Sequence, residues 1–138
     1  MRKLSSLFAL ALLAALLVAI LFIQSGLDKV FDWKGNMKWL TGHFSKTFLS
    51  RFVWIMLAKL TVLELATGLA SLAGIVYFLL TGSTVVIFWA ATLGALTVIG
   101  LFFGQRVAKD YPGAAVLVPY FILLTALMYL TNPYTKLS

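Results

Sequence analysis

Long apolar runs separated by polar connections dominate the pattern of this chain. Each run is near or above the roughly 20 residues that an α-helix needs to cross about 30 Å of hydrocarbon. Four such runs occupy residues 4–23, 53–80, 85–103 and 114–130. Because lipid offers no hydrogen-bond partners, a spanning segment must satisfy its backbone internally, as a helix does. The pattern therefore predicts an all-α protein, a four-transmembrane-helix bundle in which residues 1–138 form a single domain.

The connection between the first and second spans, residues 24–52, is long enough to form structure of its own. Within it, apolar side chains recur at spacings of four, three and four, at Trp33, Met37, Leu40 and Phe44. This spacing predicts a short helix lying in the membrane interface. The alternative is a membrane-hugging loop whose aromatic side chains anchor among the lipid headgroups. Neither leaves room for a soluble catalytic domain, so we expect any chemistry between helices or at a membrane surface.

The composition agrees with an integral membrane protein and excludes several kinds of function. Of the 138 residues, 62% are hydrophobic and 11% are charged. The net charge of +7 comes from basic residues that flank the apolar spans, which suits lipid headgroups better than nucleic acid. The chain has no cysteine, so disulfide relays, thiolate metal sites and thiol nucleophiles are excluded as chemistry that it performs alone. The partner that this composition predicts is the lipid bilayer.

Lysine and arginine give conflicting indications of membrane orientation. Five basic residues lie in the first connection and two in the third, against three on the opposite side of the spans. The positive-inside rule then predicts that these two connections face the cytoplasm and both termini face outward. Arg2 and Lys3, which precede the first span, favour the opposite orientation. The first span also exceeds the roughly 7–15 apolar residues of a cleaved secretory signal, so we expect it to be retained.

Glu64 is a carboxylate inside the second apolar span, where an isolated charge is costly. Counting about 20 residues back from Leu80 places the hydrocarbon boundary near Thr61. Glu64 then lies roughly one turn inside the hydrocarbon, and Lys59 lies at the interface, where its stem can reach the headgroups. Lys59 and Glu64 are about 140° apart around the helix, which argues against an ion pair between them. Glu64 therefore needs a partner from another helix.

Three polar residues directly after the first apolar run are candidate partners of Glu64: Gln24, Asp28 and Lys29. If the first two spans are antiparallel neighbours, Lys29 and Glu64 reach nearly the same depth, and we predict an ion pair between them. One interpretation is that this pair only sets the register of the bundle. Another is a polar pocket in which Glu64, with Gln24 or Lys29, binds a head group such as a quinone carbonyl, or relays a proton. Ion binding and a protonated Glu64 are further alternatives.

Small residues on the second and third spans predict close helix packing. Glu64 belongs to a stripe with alternating spacings of four and three, formed by Leu57, Thr61, Glu64, Gly68, Ser71 and Ile75. Such a stripe is typical of the seam of a membrane bundle, because small residues let backbones approach and hydroxyls supply hydrogen bonds. The third span adds a GxxxG motif, for which packing within the chain is favoured over dimerisation. The residues expected at packed positions are Gly26, Gly68, Ser71, Gly94, Gly100 and Gly104.

No constellation of residues in this sequence specifies an enzyme. His43 is the single histidine, and we expect no second ligand or set of carboxylates beside it, so we predict no metal site. No Ser/His/Asp set, nucleophile elbow or phosphate-cradling glycine loop occurs. We therefore predict no catalytic residues.

Two motifs resemble the DoxX family of small four-helix membrane proteins. They are GLDKVF at residues 26–31, directly after the first apolar run, and ELATGLASLAG at residues 64–74 in the second span. Together with the number and spacing of the spans, the resemblance covers nearly the whole chain. The ending, residues 132–134, departs from the family pattern. The positions that match it are Gly26, Lys29, Glu64 and Gly68.

The resemblance implies a role beside membrane redox enzymes. Related proteins are described as membrane subunits of thiosulfate:quinone oxidoreductase or as partners of redox and detoxification enzymes. We therefore expect a non-catalytic accessory subunit of a quinone-linked redox system, with quinone as the candidate cofactor and other membrane subunits as partners. The alternatives are a membrane protein that binds a small molecule, lipid or ion in a polar pocket at Glu64, and a purely structural subunit. The resemblance also implies a multi-pass protein of the bacterial cytoplasmic (inner) membrane.

Overall fold

The computed structural model describes residues 2–134, with side chains from residue 6 onward, and all regular structure in that part of the chain is helical. Within residues 2–134 the five α-helices are α1 (Arg2–Phe31), α2 (Trp33–His43), α3 (Val53–Thr81), α4 (Val85–Val107) and α5 (Tyr111–Thr131). A short 3₁₀ helix, Phe48–Phe52, leads into α3. The helices α1, α3, α4 and α5 are each long and apolar enough to cross a membrane. The protein is a multi-pass integral membrane protein, and the predicted all-α bundle is confirmed.

The four long helices form a bundle of antiparallel neighbours. Helix α3 packs against α1 and α4, α5 packs against α4, and a smaller contact between α1 and α5 closes the bundle. The connections at residues 82–84 and 108–110 are short, which makes the helices that they join antiparallel neighbours. The carboxyl ends of α1 and α4 therefore lie at the same end of the bundle as the amino ends of α3 and α5. Helix α2 lies there too, and we call this the α2 end.

Close helix contacts and hydrogen bonds, rather than large apolar side chains alone, hold the bundle together. The core cluster includes four alanines, and its members are Ala11, Ala15, Val18, Phe22, Ile87, Ala91, Ala95, Val98, Leu124 and Leu127. Lipid is as apolar as the core, so small residues that allow close approach matter more here than in a soluble protein. The buried hydroxyl of Ser71 adds a 2.7 Å hydrogen bond to the carbonyl of Ala15 across the α1–α3 contact.

The stripe predicted on the second span is the buried face of α3. The buried residues of this helix are Val53, Leu57, Thr61, Glu64, Thr67, Gly68, Ser71 and Gly74. Ile75, which the spacing also placed in the stripe, is half-buried. Gly74, the residue before it, is buried and lies against α4, since a β-carbon at position 74 would lie 2.8 Å from the backbone nitrogen of Ile87.

Three of the expected packing glycines sit where helices come closest. A β-carbon at position 68 would lie 2.8 Å from the backbone nitrogen of Ile23, so α1 and α3 approach each other along Gly68. At position 26 it would overlap the side chain of Leu65, and at position 94 it would overlap that of Leu124. The packing predicted for these positions is present in the fold.

The GxxxG motif of α4 does not pack against another spanning helix. Gly104 has more room than Gly26, Gly68 or Gly94, since a β-carbon there would lie 3.5 Å from the ring of Phe44. Gly100 is exposed, and a β-carbon there would meet no atom within 4 Å. The prediction that Gly100 packs helices within the chain is therefore wrong. The reason is that α4 borders a groove at this level instead of a neighbouring helix.

Helix α1 is longer than the apolar run that predicts it. The run at residues 4–23 is followed by polar residues, yet the helix continues to Phe31 and reaches about 45 Å at 1.5 Å per residue. Two contacts with α3 support the extra turns. Gly26 lies against Leu65, and Lys29 finds hydrogen-bond partners on both helices. The polar residues that follow the run therefore lie on a helix and not in a loop.

Helix α2 is the short helix predicted within the first connection. It begins at Trp33, with only Asp32 between it and the end of α1, and it contacts α1 and α3. Lys34 and Lys38 are exposed, whereas Phe44, directly after the helix, is buried. Of the two alternatives for this segment, the helix is the one that forms.

Candidate functional site

Lys29 of α1 and Glu64 of α3 form an ion pair where these two helices meet. Lys29 Nζ lies 3.0 Å from Glu64 Oε2, and the Glu64 side chain is only 4% exposed. The ion pair predicted from the sequence is therefore present. Each charge compensates the other, so neither stands alone in the apolar interior.

Ser25 completes the surroundings of the Lys29 ammonium group. Its hydroxyl accepts a 2.8 Å hydrogen bond from Lys29 Nζ, and its carbonyl accepts a longer one at 3.4 Å. Together with Glu64, these partners match the donor capacity of an ammonium group. Sequence reasoning misses Ser25. The sequence feature that could have indicated Ser25 is its position four residues before Lys29. Residues four apart share a face of an α-helix, so the two lie together because α1 continues beyond the apolar run.

Gln24 and Asp28 do not join this cluster. Both side chains are exposed, and within residues 6–134 neither forms a hydrogen bond with Lys29 or Glu64. The prediction that they share a pocket with Glu64 is therefore wrong. Gln24 directly precedes Ser25, and Asp28 directly precedes Lys29. Because successive residues of an α-helix are rotated by about 100°, the side chains of Gln24 and Asp28 point away from α3.

A groove of about 400 Å³ opens between α2, α3 and α4 and reaches Lys29. Met56, Leu60 and Leu63 line its α3 side at the spacing of a single helix face. Gly100 and Gly104 line its α4 side, and their missing side chains leave the space open. The groove therefore runs along the seam between α3 and α4 and lies beside the ion pair.

The groove has a polar end and an apolar end. Asn36, Lys59 and Gln105 line it near the α2 end of the bundle. Leu63 lies one turn deeper than Lys59 along α3, and Leu96 lies about 13 Å deeper than Gln105 along α4. A molecule that lay in the groove would therefore meet hydrogen-bonding groups at one end and aliphatic side chains at the other.

His43 links α2 to α4 and to the connection between α4 and α5. Its Nε2 atom is 2.8 Å from the side-chain oxygen of Gln105 and 3.8 Å from a carboxylate oxygen of Asp110. The imidazole also stacks on Trp39, with ring centroids 4.4 Å apart. These contacts hold α2 beside the polar end of the groove. Sequence reasoning assigned His43 no role, because its partners are more than sixty residues away in the chain.

The chemistry available at this site is hydrogen bonding and charge pairing. Glu64 accepts one hydrogen bond, through Oε2, and its Oε1 has no hydrogen-bond partner among the side chains and backbone described. Asn36 and Gln105 contribute amides, and Lys59 contributes an ammonium group. In the part of the chain that the structure describes, no group of three or more His, Cys, Asp or Glu side chains could hold a metal ion. The arrangement is therefore suited to holding a polar head group.

The protein is thus a four-helix membrane protein with an interhelical groove beside a buried ion pair. Comparison of the chain with protein-family models, with curated proteins and with solved structures finds no match. The resemblance to the DoxX family therefore rests on its two motifs and stays a prediction. Within those motifs, Lys29 and Glu64 form the ion pair, and Gly26 and Gly68 lie at the α1–α3 contact.

Proposed function

We propose that the protein binds a small amphiphilic molecule from the bilayer in the groove between α2, α3 and α4. The groove itself carries this proposal. Its volume of about 400 Å³ falls within the roughly 300–1,000 Å³ of small-molecule sites. A Lys29–Glu64 pair that only set the register of the bundle would need no opening beside it.

The polarity of the groove supports a defined binding mode. Lys59 and the amides of Asn36 and Gln105 would hold the head group, and Leu63 and Leu96 would contact the apolar tail. Placing a few polar groups at one end of an otherwise apolar cavity orients a ligand and gives selectivity.

A quinone is one amphiphile that fits this description, because its carbonyl oxygens accept hydrogen bonds and its tail is apolar. The accessory role in a quinone-linked redox system stays a prediction of the DoxX resemblance. It is compatible with this proposal, since an accessory membrane subunit can hold the quinone on which a catalytic partner acts. The bacterial cytoplasmic membrane is the location that we propose with it.

Replacing Gly100 by leucine tests the proposal. A β-carbon at this position meets no atom within 4 Å, so the new side chain enters the groove without displacing a helix. Leucine is also a better helix former than glycine, which is about 0.8–1 kcal/mol per residue less favourable in a helix than alanine, so the variant should fold. We expect about tenfold less copurifying amphiphile, which corresponds to about 1.4 kcal/mol of lost binding free energy. Mass spectrometry of lipids and quinones retained in gentle detergent measures this quantity.

The matched control is Ala126→Leu, because Ala126 is exposed on α5 and does not line the groove. We expect this variant to retain as much amphiphile as the wild type. Equal retention by the wild type and Gly100→Leu would overturn the proposal. So would a wild-type protein that carries no amphiphile after gentle extraction.

A further inference from the structure

Lys59 gives the groove a positive charge that no described residue neutralises. The charged residues that line the groove are Lys29 and Lys59. Lys29 is balanced by Glu64 at 3.0 Å. Lys59 is exposed and forms no salt bridge within residues 6–134. The polar end of the groove therefore carries a net positive charge.

The position of Lys59 along α3 places this charge near the level of the lipid phosphates. Lys59 precedes the end of α3, Thr81, by 22 residues. This separation is about 33 Å along the helix axis, close to the roughly 30 Å thickness of the hydrocarbon core. The aliphatic stem of a lysine at the hydrocarbon boundary can lie along apolar surface while its ammonium group reaches the headgroups. Lys59 is therefore well placed to meet a phosphate.

The surroundings of Lys59 match the other parts of a phospholipid. The amides of Asn36 and Gln105, which line the same end of the groove, can donate hydrogen bonds to the remaining phosphate oxygens. Towards the middle of the bundle, Leu63 and Leu96 provide an aliphatic surface for an acyl chain, and Gly100 leaves space for it. A head group without a phosphate would leave the charge of Lys59 without a partner, and a zwitterionic head group would offset that charge only in part, because its own cation competes for the phosphate.

We infer that the ligand of the groove is an anionic phospholipid from the surrounding bilayer, with its phosphate paired to Lys59 and an acyl chain against Leu63 and Leu96. This inference rests on the proposed function and assigns the chemical class of the ligand. Charge complementarity is the reason for choosing an anionic lipid over a neutral amphiphile.

Native mass spectrometry with two lipids tests the inference. The delipidated full-length protein is mixed with equal amounts of dioleoylphosphatidylglycerol, which is anionic, and dioleoylphosphatidylcholine, which has no net charge. We expect the wild type to bind the anionic lipid about fivefold more, the factor for one lysine near an anionic membrane surface. Lys59→Gln should lose this preference, with an unchanged thermal unfolding midpoint. Its binding of the uncharged lipid should fall less than its binding of the anionic lipid, because the choline of the uncharged lipid already offsets the phosphate charge.

The control variant is Lys46→Gln, which removes the same charge from an exposed position outside the groove. It should keep the preference for the anionic lipid. If Lys46→Gln lowers the preference as much as Lys59→Gln does, the attraction belongs to the whole basic surface and the inference is wrong.

The groove-filling variant Gly100→Leu separates this inference from the proposed function. If it abolishes lipid binding while the wild type shows no preference between the two lipids, the groove binds amphiphiles regardless of charge. The inference then fails and the proposed function stands. If Gly100→Leu reduces the binding of neither lipid, both fail.

Discussion

Glu64 is a carboxylate that lies inside an apolar helix because a second side chain compensates its charge. On insertion scales, a charged residue at the centre of a spanning helix costs about 2.5–3.5 kcal/mol. Here Lys29 places an ammonium group 3.0 Å from the carboxylate, and the hydroxyl of Ser25 shares that ammonium group at 2.8 Å. The two charges stabilise the fold only together, so removing one of them should lower the unfolding free energy more than removing both.

We predict that Glu64→Gln destabilises the folded protein. The substitution leaves the largely buried Lys29 ammonium without a counter-charge, and we expect a loss of about 3 kcal/mol in unfolding free energy. Unfolding of the purified protein by a denaturing detergent, followed by circular dichroism, measures this loss.

A double variant serves as the control for this prediction. Replacing both Lys29 and Glu64 by methionine removes the pair and keeps side chains of similar length. We expect it to recover most of the lost stability, because no charge remains unpaired. A Glu64→Gln protein as stable as the wild type would show that the ion pair contributes little to the fold.

The turn between α4 and α5, at the α2 end of the bundle, is held by backbone hydrogen bonds. The Asp110 N–H donates to the carbonyl of Gln105 at 2.9 Å, and the Lys109 N–H donates to that of Arg106 at 3.1 Å. These are the hydrogen bonds of a Schellman motif, whose left-handed position usually holds glycine. Lys109 occupies it here with φ 61°. Asp110 then accepts a 3.0 Å hydrogen bond from the Gly113 N–H and so caps α5.

We predict that Lys109→Gly stabilises the protein. Glycine adopts a positive φ without the steric penalty of a β-carbon, which is about 1–2 kcal/mol per residue. We expect a gain of about 1 kcal/mol in unfolding free energy, measured by the same detergent titration.

Lys109→Ala is the matched control, because it removes the charge and keeps the β-carbon. It should show no gain. If alanine stabilises as much as glycine does, charge repulsion near the turn, and not the backbone, explains the effect.

The whole molecule carries its charge unevenly between its two ends. Exposed basic side chains at the α2 end include Lys34, Lys38, Lys46 and Arg51, whereas the connection at residues 82–84 has none. Basic connections are retained on the cytoplasmic side during membrane insertion. We therefore predict that the α2 end faces the cytoplasm.

Single cysteine substitutions can test this orientation, since the natural chain has no cysteine. We expect a membrane-impermeant maleimide to label Ser83→Cys in intact cells that express the protein and to label Lys46→Cys only after the membrane is opened. The reverse labelling pattern would show that Arg2 and Lys3, at the start of α1, decide the orientation instead.

The features of the fold that the sequence predicts correctly follow from two quantities that act on each helix separately, the thickness of the bilayer and the helical repeat. The thickness of the bilayer sets the length of an apolar run, and the helical repeat sets which residues share a face. These were enough to predict four spans, the buried stripe on α3 and, with antiparallel neighbours, the contact of Lys29 with Glu64. The continuation of α1 to Phe31 was missed, because polar residues end the apolar run while contacts with α3 stabilise the helix.

The amino-acid sequence alone was enough to predict four membrane spans and a partner for Glu64 on another helix, because bilayer thickness and the helical repeat act on each segment separately. The participation of Ser25 in the ion pair, and the absence of Gln24 from it, became evident only from the packed helices. So did the open groove beside α4 at Gly100 and the contact of His43 with Gln105. These features depend on the rotation of each helix about its axis and on the position of α2 against the bundle. Contacts between residues that are distant in the sequence determine that rotation and that position.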